Sequence, residues 1–393
     1  MQSTGCTWYN LFNITNGLFS PVLRPEIGFF RAERLRQVAA TPPFLWGQST
    51  IMRSAIIGLT GAGKQTVFEA LTCSFEDHSS RTEARIGTIR VPDERVDVLS
   101  RMYRPRKTTY AQVEYFLPGA HADKGSQQGT GWSAVRDCDA LIHVVRNFSS
   151  YGTEPPSPWE DFNQLDQELI IADLIVAEKR LERLTLDQKR GKNIDPEELT
   201  LLQACVRSLE AEIPLRRDQQ LADAHRLKGF AFLSAKPMLV LLNNEDDDDS
   251  LPDLQGLSAG EFCQVIRGKL EHELAQMSTA ETQEFLKEFN IPAAATDRVI
   301  TASYDLLGLI SFFTVGDDEV RAWTIGKNTR AVDAAGVIHS DMQKGFIRAE
   351  VLSYGDLIDA GSYAAARKQG TVRLEGKTYE VQDGDIVQIR FNV

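Results

Sequence analysis

Several stretches of this chain are apolar at consecutive positions rather than at every second or fourth one. Residues 55–57 (AII), 140–145 (ALIHVV) and 238–242 (MLVLL) are of this kind. Runs that are apolar on both faces suit strands of a parallel sheet covered by helices. Residues 112–117 (QVEYFL) alternate instead and stop at Pro118-Gly119, which predicts a further strand. A helix, TVFEALTC (residues 66–73), follows the first of these strands after a glycine-rich loop. The middle of the chain has a different period. Ile170, Leu174, Ala177, Leu181 and Leu184 step alternately by four and three, and Leu199, Leu202, Val206, Leu209 and Ile213 do the same. Each set is a heptad seam, and Gly191 to Pro196 supplies the turn of an antiparallel two-helix hairpin. Its outer face, EKRLERLTLDQKR, is mixed and solvated, and suits a structural arm or a docking surface equally.

Toward the C-terminus the pattern returns to short strands: residues 319–325, 348–352, 371–374, 376–381 and 386–391, with a tight turn over 382–385. Helices are predicted over 330–338 and 354–369. This is a small α+β unit of β-grasp type. Lys344, Arg348, Arg367, Lys368 and Arg373 give it local positive charge. The domain plan is therefore a parallel-sheet domain over 52–160 and 229–305, a helical hairpin inserted at 161–228, and a C-terminal unit at 306–393. Residues 1–51 show neither period, and fit neither a signal peptide nor a transit peptide. Met52 stands directly before the first strand. The first 51 residues are expected to be a mis-called extension or a short disordered tail. A native peptide upstream of Met52, found by mass spectrometry, would refute the first of these.

Composition changes this picture little. The 393 residues are 42% hydrophobic and 25% charged, which fits a globular chain of two or three domains. No apolar run reaches the roughly 18 residues a membrane-spanning helix needs. The formal net charge of −12 gives no footprint for wholesale nucleic-acid binding. Five cysteines with no C-x-x-C pair exclude a cysteine-rich zinc site or disulfide framework, and fit a reducing, cytoplasmic setting. The six histidines have no metal-binding spacing.

Candidate chemistry begins at residues 58–66, GLTGAGKQT. Every fixed position of the phosphate loop G-x-x-x-x-G-K-[ST] is present except the last, where Gln65 stands and Thr66 follows one place late. The strand before it and the helix after it are the context this loop requires. Glycines let backbone N–H groups approach the phosphates, the helix N-terminus adds a favourable dipole, and Lys64 reaches the outer phosphate oxygens. The nucleotide-binding candidates are thus Gly58, Gly61, Ala62, Gly63, Lys64, Gln65 and Thr66. Asn243 and Asp246 join them, because N-x-x-D after a buried strand has the spacing of a base-reading loop. The other reading is a plain acidic loop, since Asp246 to Asp249 form a run of four. Thr66 and Thr82 are the hydroxyls left to hold Mg²⁺.

These features together resemble the YchF/Obg-like ATPase family of P-loop NTPases, and the likeness runs from Met52 to Val393. Its most specific part is C-terminal: EVRAWTI (319–325), AAGVIHSDMQKGFIRAEV (334–351) and VQDGDIVQIRFNV (381–393) are similar to that family's TGS domain. LIIADLIVAEKRLERL resembles its coiled-coil arm, and RVPDERVDVLSRMYRPRKTTYAQVEYF the segment after its first switch. The resemblance implies an α/β fold: a GTPase-like P-loop NTPase domain with a parallel sheet, an inserted antiparallel coiled-coil arm and a C-terminal β-grasp-like TGS domain. It also implies binding of ATP or GTP and contact with the ribosome or structured RNA, with no membrane, no DNA specificity and a monomeric state.

The departures bear on activity. The family's loop is similar to GLPNVGKST, so its Mg²⁺-binding serine is replaced by Gln65. Its D-x-x-G segment is replaced by FLPGAHADKGSQQGTG (116–131), in which Phe116 stands three places before Gly119 where the carboxylate belongs. Its base-reading N-x-x-E is Asn243-Asn244-Glu245-Asp246, and its final base-contact loop becomes Arg267-Gly268-Lys269. In the first switch Thr82-Glu83 survives, while the following Pro-Asn has become Ala84-Arg85. Ala120 follows Gly119, so no catalytic glutamine is present there. Glu83 and His121 are the nearest general-base candidates, with His121 more often a solvated loop residue. Phosphate binding by backbone N–H groups and Lys64 can persist without the hydroxyl; hydrolysis, which depends on positioning and metal electrostatics, suffers most. The expected activities are a nucleotide-dependent switch with slow ATP or GTP hydrolysis, or a pseudo-NTPase scaffold that binds RNA or protein independently of nucleotide.

Overall fold

The computed structural model describes residues 52–75, 83–119, 132–150, 152, 154–252, 254, 260–288 and 294–392. The extension 1–51, Thr82, Ala120 and His121 lie outside the described residues. Among the described residues, twelve strands form two six-stranded sheets. They are β1 (Arg53–Ile57), β2 (Arg85–Arg90), β3 (Lys107–Thr109), β4 (Gln112–Leu117), β5 (Ala140–Asn147), β6 (Met238–Asn244), β7 (Phe262–Ile266), β8 (Leu309–Thr314), β9 (Glu319–Gly326), β10 (Phe346–Ser353), β11 (Arg373–Glu375) and β12 (Asp385–Phe391).

The first sheet runs β2-β4-β1-β5-β6-β7, parallel except for the antiparallel edge pair β2/β4. The continuous apolar runs lie at its centre, and alternate residues feed two separate cores. Ala140, Ile142 and Val144 of β5, with Leu239 and Leu241 of β6, face helix α1 (Lys64–Thr72) through Val67, Phe68 and Leu71. Leu141, Val145, Met238, Val240 and Leu242 face the start of helix α2 (Pro158–Lys189) through Phe162, Leu165 and Leu169. This two-faced burial is why those strands carry no polar alternation.

The heptad seam closes α2 against α3 (Pro196–Glu210), joined through Gly191 at φ +73°. Ile170, Ala177, Leu184, Leu202 and Leu209 are buried in the seam, and Cys205 joins them. Full burial of Leu202 and Leu209 contributes roughly 1.5–3 kcal/mol each. Ile213 does not belong to the seam: α3 ends at Glu210, Glu212 turns the chain at φ +58°, and Ile213 is exposed.

The second sheet runs β11-β10-β12-β8-β9-β3. Helix α4 (Ala331–Ile338) covers one face through Ala331, Ala334 and Ala335. The helix expected over 354–369 is two, α5 (Tyr354–Ala360) and α6 (Tyr363–Gln369). Gly361 at φ +72° stops the first, and the Ser362 hydroxyl caps the second by accepting from Ala365 N. The strand expected over 376–381 is absent; Glu380 forms only an isolated bridge with Arg330. Unforeseen, Lys107–Thr109 leaves the first sheet's connectivity to pair in parallel with β9.

Candidate functional site

The phosphate loop leaves the C-terminal end of β1, where the sheet order turns back between β4 and β5. This is the crevice in which open α/β sheets bind ligands. Close packing explains Gly58 and Gly63, and a positive φ explains Gly61. A Cβ at Gly58 would lie 2.4 Å from the Val144 carbonyl oxygen. Gly61 and Gly63 sit at φ +86° and +89°, and a Cβ on Gly63 would meet Asn243 Nδ2 at 2.3 Å. Gly63 is also the N-cap of α1, with Val67 N donating to its carbonyl at 3.0 Å. Ala62 is buried and its N–H closes a turn onto Leu59 O at 3.2 Å. Lys64 folds back over the loop, donating from Nζ to Gly58 O at 2.5 Å and Leu59 O at 3.3 Å. Thr66 is half-buried in the first turn of α1.

Asn243, at the end of β6, ties two loops together. Its Nδ2 donates to Ala62 O at 3.1 Å, and its Oδ1 accepts from Gly268 N at 2.9 Å. Gly268 has to be small, since a Cβ there would meet Asn243 Oδ1 at 2.6 Å. The rest of the tetrad holds neighbouring backbone: Asn244 donates to Ser250 O at 2.8 Å, and Glu245 accepts from Ser149 N at 2.6 Å. Glu245 and Asp246 are both exposed; the Asp246 side chain, 44% exposed, accepts from Leu270 N at 3.1 Å and pairs with Lys269 at 3.3 Å. The structure therefore brings Gly58 to Thr66, Asn243 and Asp246 to one end of the sheet. Glu83 is exposed. Phe116 is buried in the core that packs against α2.

Sequence reasoning missed Glu69. This residue lies one turn along α1 from Gln65 and is nearly buried. Its Oε1 accepts from Gln65 Nε2 at 2.9 Å and from Arg85 Nη1 at 2.9 Å, and its Oε2 lies 3.0 Å from His272 Nε2 on the helix Gly268–Leu274. Burial alone would raise the Glu69 carboxyl; the hydrogen bonds from Gln65, Arg85 and His272 outweigh it and leave it below its ordinary value. Arg85 is further fixed by Ser74 O at 2.5 Å and by stacking over Phe68 at 4.9 Å. The i,i+4 spacing of Gln65 and Glu69 was visible in the sequence. The partners Arg85 and His272 were not.

Beneath the loop, His143 lies in β5 beside Ile57 and Val240, fully buried and stacked on Phe162 at 5.3 Å. Neither ring nitrogen has a hydrogen-bond partner. Burial, with smaller contributions from Arg216 and Lys64, pushes it down to about 3.

Among the described residues, no three His, Cys, Asp or Glu side chains are grouped so as to hold a metal ion. A phosphate loop's cation is ordinarily held by the loop Ser/Thr hydroxyl and a carboxylate from a neighbouring strand. Here those places are taken by an amide bound to Glu69 and by a buried phenyl ring. Among the described residues, the donor set does not fit a divalent cation.

Comparison with known proteins supports the same architecture. A family model described as YchF-GTPase_C, Protein of unknown function (DUF933), matches residues 309–392. The Ribosome-binding ATPase YchF of Bacillus subtilis is 36% identical over 365 residues, spanning 87% of this chain and 100% of that protein. The protein of the same name from Pasteurella multocida is 36% identical over 363 residues, spanning 87% and 99%. The structure of the Schizosaccharomyces pombe YchF GTPase matches with a TM-score of 0.75 at 29% identity, over 89% of this chain and 100% of that one. With relatives at this identity covered over essentially their whole length, and the fold shared along the same span, the chain belongs to the YchF family.

Proposed function

We propose that this chain binds a purine nucleoside triphosphate, ATP or GTP, in the loop Gly58–Thr66, hydrolyses it slowly at most, and acts in the cytoplasm on the ribosome or structured RNA. The observation that carries the reading is the loop itself. Two left-handed glycines, a glycine pressed against Val144, and Lys64 at the start of α1 form the backbone cradle of a phosphate loop. Asn243 braces that cradle against the 267–269 loop, and Asp246, at the same end of the sheet, is the group we assign to reading the base. The relatives' names point both ways on the base, one set being ATPases and the yeast protein a GTPase. The ribosome enters from the names of the bacterial relatives. Exposed Arg348 and Arg390, cross-strand neighbours on β10 and β12, supply basic surface on an otherwise acidic protein and favour an RNA contact there.

A second reading, a scaffold whose partner binding ignores nucleotide, is favoured by Gln65 and Phe116, which together remove the side chains that hydrolysis relies on. Calorimetric titration of the full chain with ATP and GTP analogues separates the two. Micromolar binding that disappears in Lys64→Ala supports the nucleotide reading. No heat with either nucleotide leaves the scaffold.

A further inference from the structure

Gln65 and Arg85 depart from the family pattern at two separate places in the sequence, yet the fold brings both onto the carboxylate of Glu69. We infer that the site takes its nucleoside triphosphate without a divalent cation, with Glu69 as the positioning residue that holds Gln65 out of the cation's place. The inference rests on the nucleotide reading above and concerns how that same site is charged.

The geometry argues it in three steps. Gln65 follows Lys64, where a phosphate loop presents its metal-binding hydroxyl. Its amide nitrogen instead points along α1 to Glu69 Oε1 at 2.9 Å. Turning it toward the phosphates would remove a donor from a carboxylate that is nearly buried, which is costly in a water-poor setting. Second, the strand position that would supply a carboxylate to a cation shell holds Phe116, buried among the apolar residues facing α2. Third, the charge that Glu69 could have lent to a cation is already neutralised: the Arg85 guanidinium is bonded to Oε1, and His272 lies against Oε2. Among the described residues, what remains to meet the phosphates is Lys64, the backbone N–H groups of the left-handed glycine loop and the N-terminus of α1, none of which needs a metal.

The test is calorimetric titration of the full chain with a non-hydrolysable ATP analogue and its GTP counterpart, in excess Mg²⁺ and in excess EDTA. The expected result is micromolar binding whose Kd changes less than twofold between the two buffers. Gln65→Ser puts a hydroxyl beside Lys64 and releases Glu69; in this variant Mg²⁺ is expected to tighten binding more than fivefold. Wild-type binding that is tenfold tighter in Mg²⁺ overturns the inference while leaving the nucleotide reading intact. A Gln65→Ser variant that folds, by circular dichroism, but stays indifferent to Mg²⁺ overturns the role given to Gln65 and Glu69. No binding of wild type in either buffer overturns the nucleotide reading, and the inference with it.

Discussion

His143→Leu is predicted to make the protein more resistant to acid, by an amount that grows as pH falls. His143 sits in a central strand, fully buried, with both ring nitrogens unpartnered. In the unfolded chain it titrates near 6.5, and in the folded protein it is pushed down to about 3. Above pH 6.5 both states are neutral and the residue adds no pH dependence. Below it the unfolded chain takes up a proton that the folded protein refuses, so stability falls by up to about 1.4 kcal/mol per pH unit. The loss is about 2 kcal/mol at pH 5 and levels off at roughly 5 kcal/mol below pH 3. Leucine is similar in bulk, needs no hydrogen bonds, and does not titrate. At pH 7.5 it is expected to be neutral or to stabilise by about 1–2 kcal/mol, because two desolvated nitrogens are gone. The assay is urea unfolding at pH 7.5 and pH 5.0, followed by tryptophan fluorescence and circular dichroism. Carboxylate titrations elsewhere are common to both proteins and cancel in the difference. The advantage of the variant should widen by about 2 kcal/mol between the two pH values. Parallel losses in the two proteins, within about 0.5 kcal/mol, would refute a neutral, partnerless imidazole at this position.

Gly63→Ala forces a left-handed backbone on a residue with a Cβ and drives that Cβ into Asn243, so nucleotide-analogue binding measured by calorimetry should be lost while the circular dichroism spectrum is kept. Asn243→Ala leaves Ala62 O and Gly268 N unpaired in a buried place; it should cost about 2–4 kcal/mol in urea unfolding and weaken the analogue at least tenfold. Arg136→Leu removes the cation 2.8 Å from the fully buried Asp173 at the root of the two-helix arm, and should destabilise by about 3–5 kcal/mol. Burial already raises the Asp173 carboxyl, with Arg136 pulling it back. Without Arg136 the penalty should therefore be smaller at pH 5, where the carboxyl can protonate, than at pH 8; an equal penalty at both would argue against a stranded charge.

The parts of this molecule that are legible in the sequence are those whose physics is local. A phosphate loop needs its glycines, lysine, strand and helix contiguous, so residues 53–72 announce it. The strands buried on both faces announce themselves by the absence of polar positions, and the arm by its heptads, although the buried seam residue Cys205 reads as chemistry before it reads as packing. Edge strands were harder. Residues 85–90 are half-exposed, with Ile86 at 53%, so no apolar alternation marks them. Lys107–Thr109 is three residues long and gains its structure only from β9. The Glu69 cluster was out of reach for a different reason. Its members come from α1, the start of β2 and the helix Gly268–Leu274, and the Glu69–His272 contact spans 203 residues of chain. Each residue taken alone is an ordinary polar surface type. The break in the helix over 354–369 had a signal, Gly361-Ser362, a stop followed by an N-cap.

The segment from Arg85 to Leu117 ties the two sheets into one mechanical unit. It opens with Arg85 on the Glu69 carboxylate and runs antiparallel to its own far end, Arg85 opposite Leu117 and Arg90 opposite Gln112. Between these strands lie the helix Glu94–Tyr103 and β3, and both are fastened to the second sheet. Arg95 donates to Asp93 at 2.9 Å and to Asp383 at 2.8 Å, and lies over the Phe313 ring at 5.1 Å. Asp383 in turn accepts from Ser311 N at 3.0 Å. Further along, β3 pairs with β9 and Thr109 donates to Glu319 at 2.7 Å. One stretch of chain is thus bound at its start to the helix that begins at the phosphate loop and in its middle to the C-terminal sheet. Cutting the chain before Leu309 would strip β3 of its only strand partner among the described residues and leave Arg95 without Asp383 or Phe313. The C-terminal unit is therefore built into the nucleotide-binding candidate rather than appended to it, and a displacement at Arg85 has a packed, hydrogen-bonded route to the second sheet that needs no flexible linker.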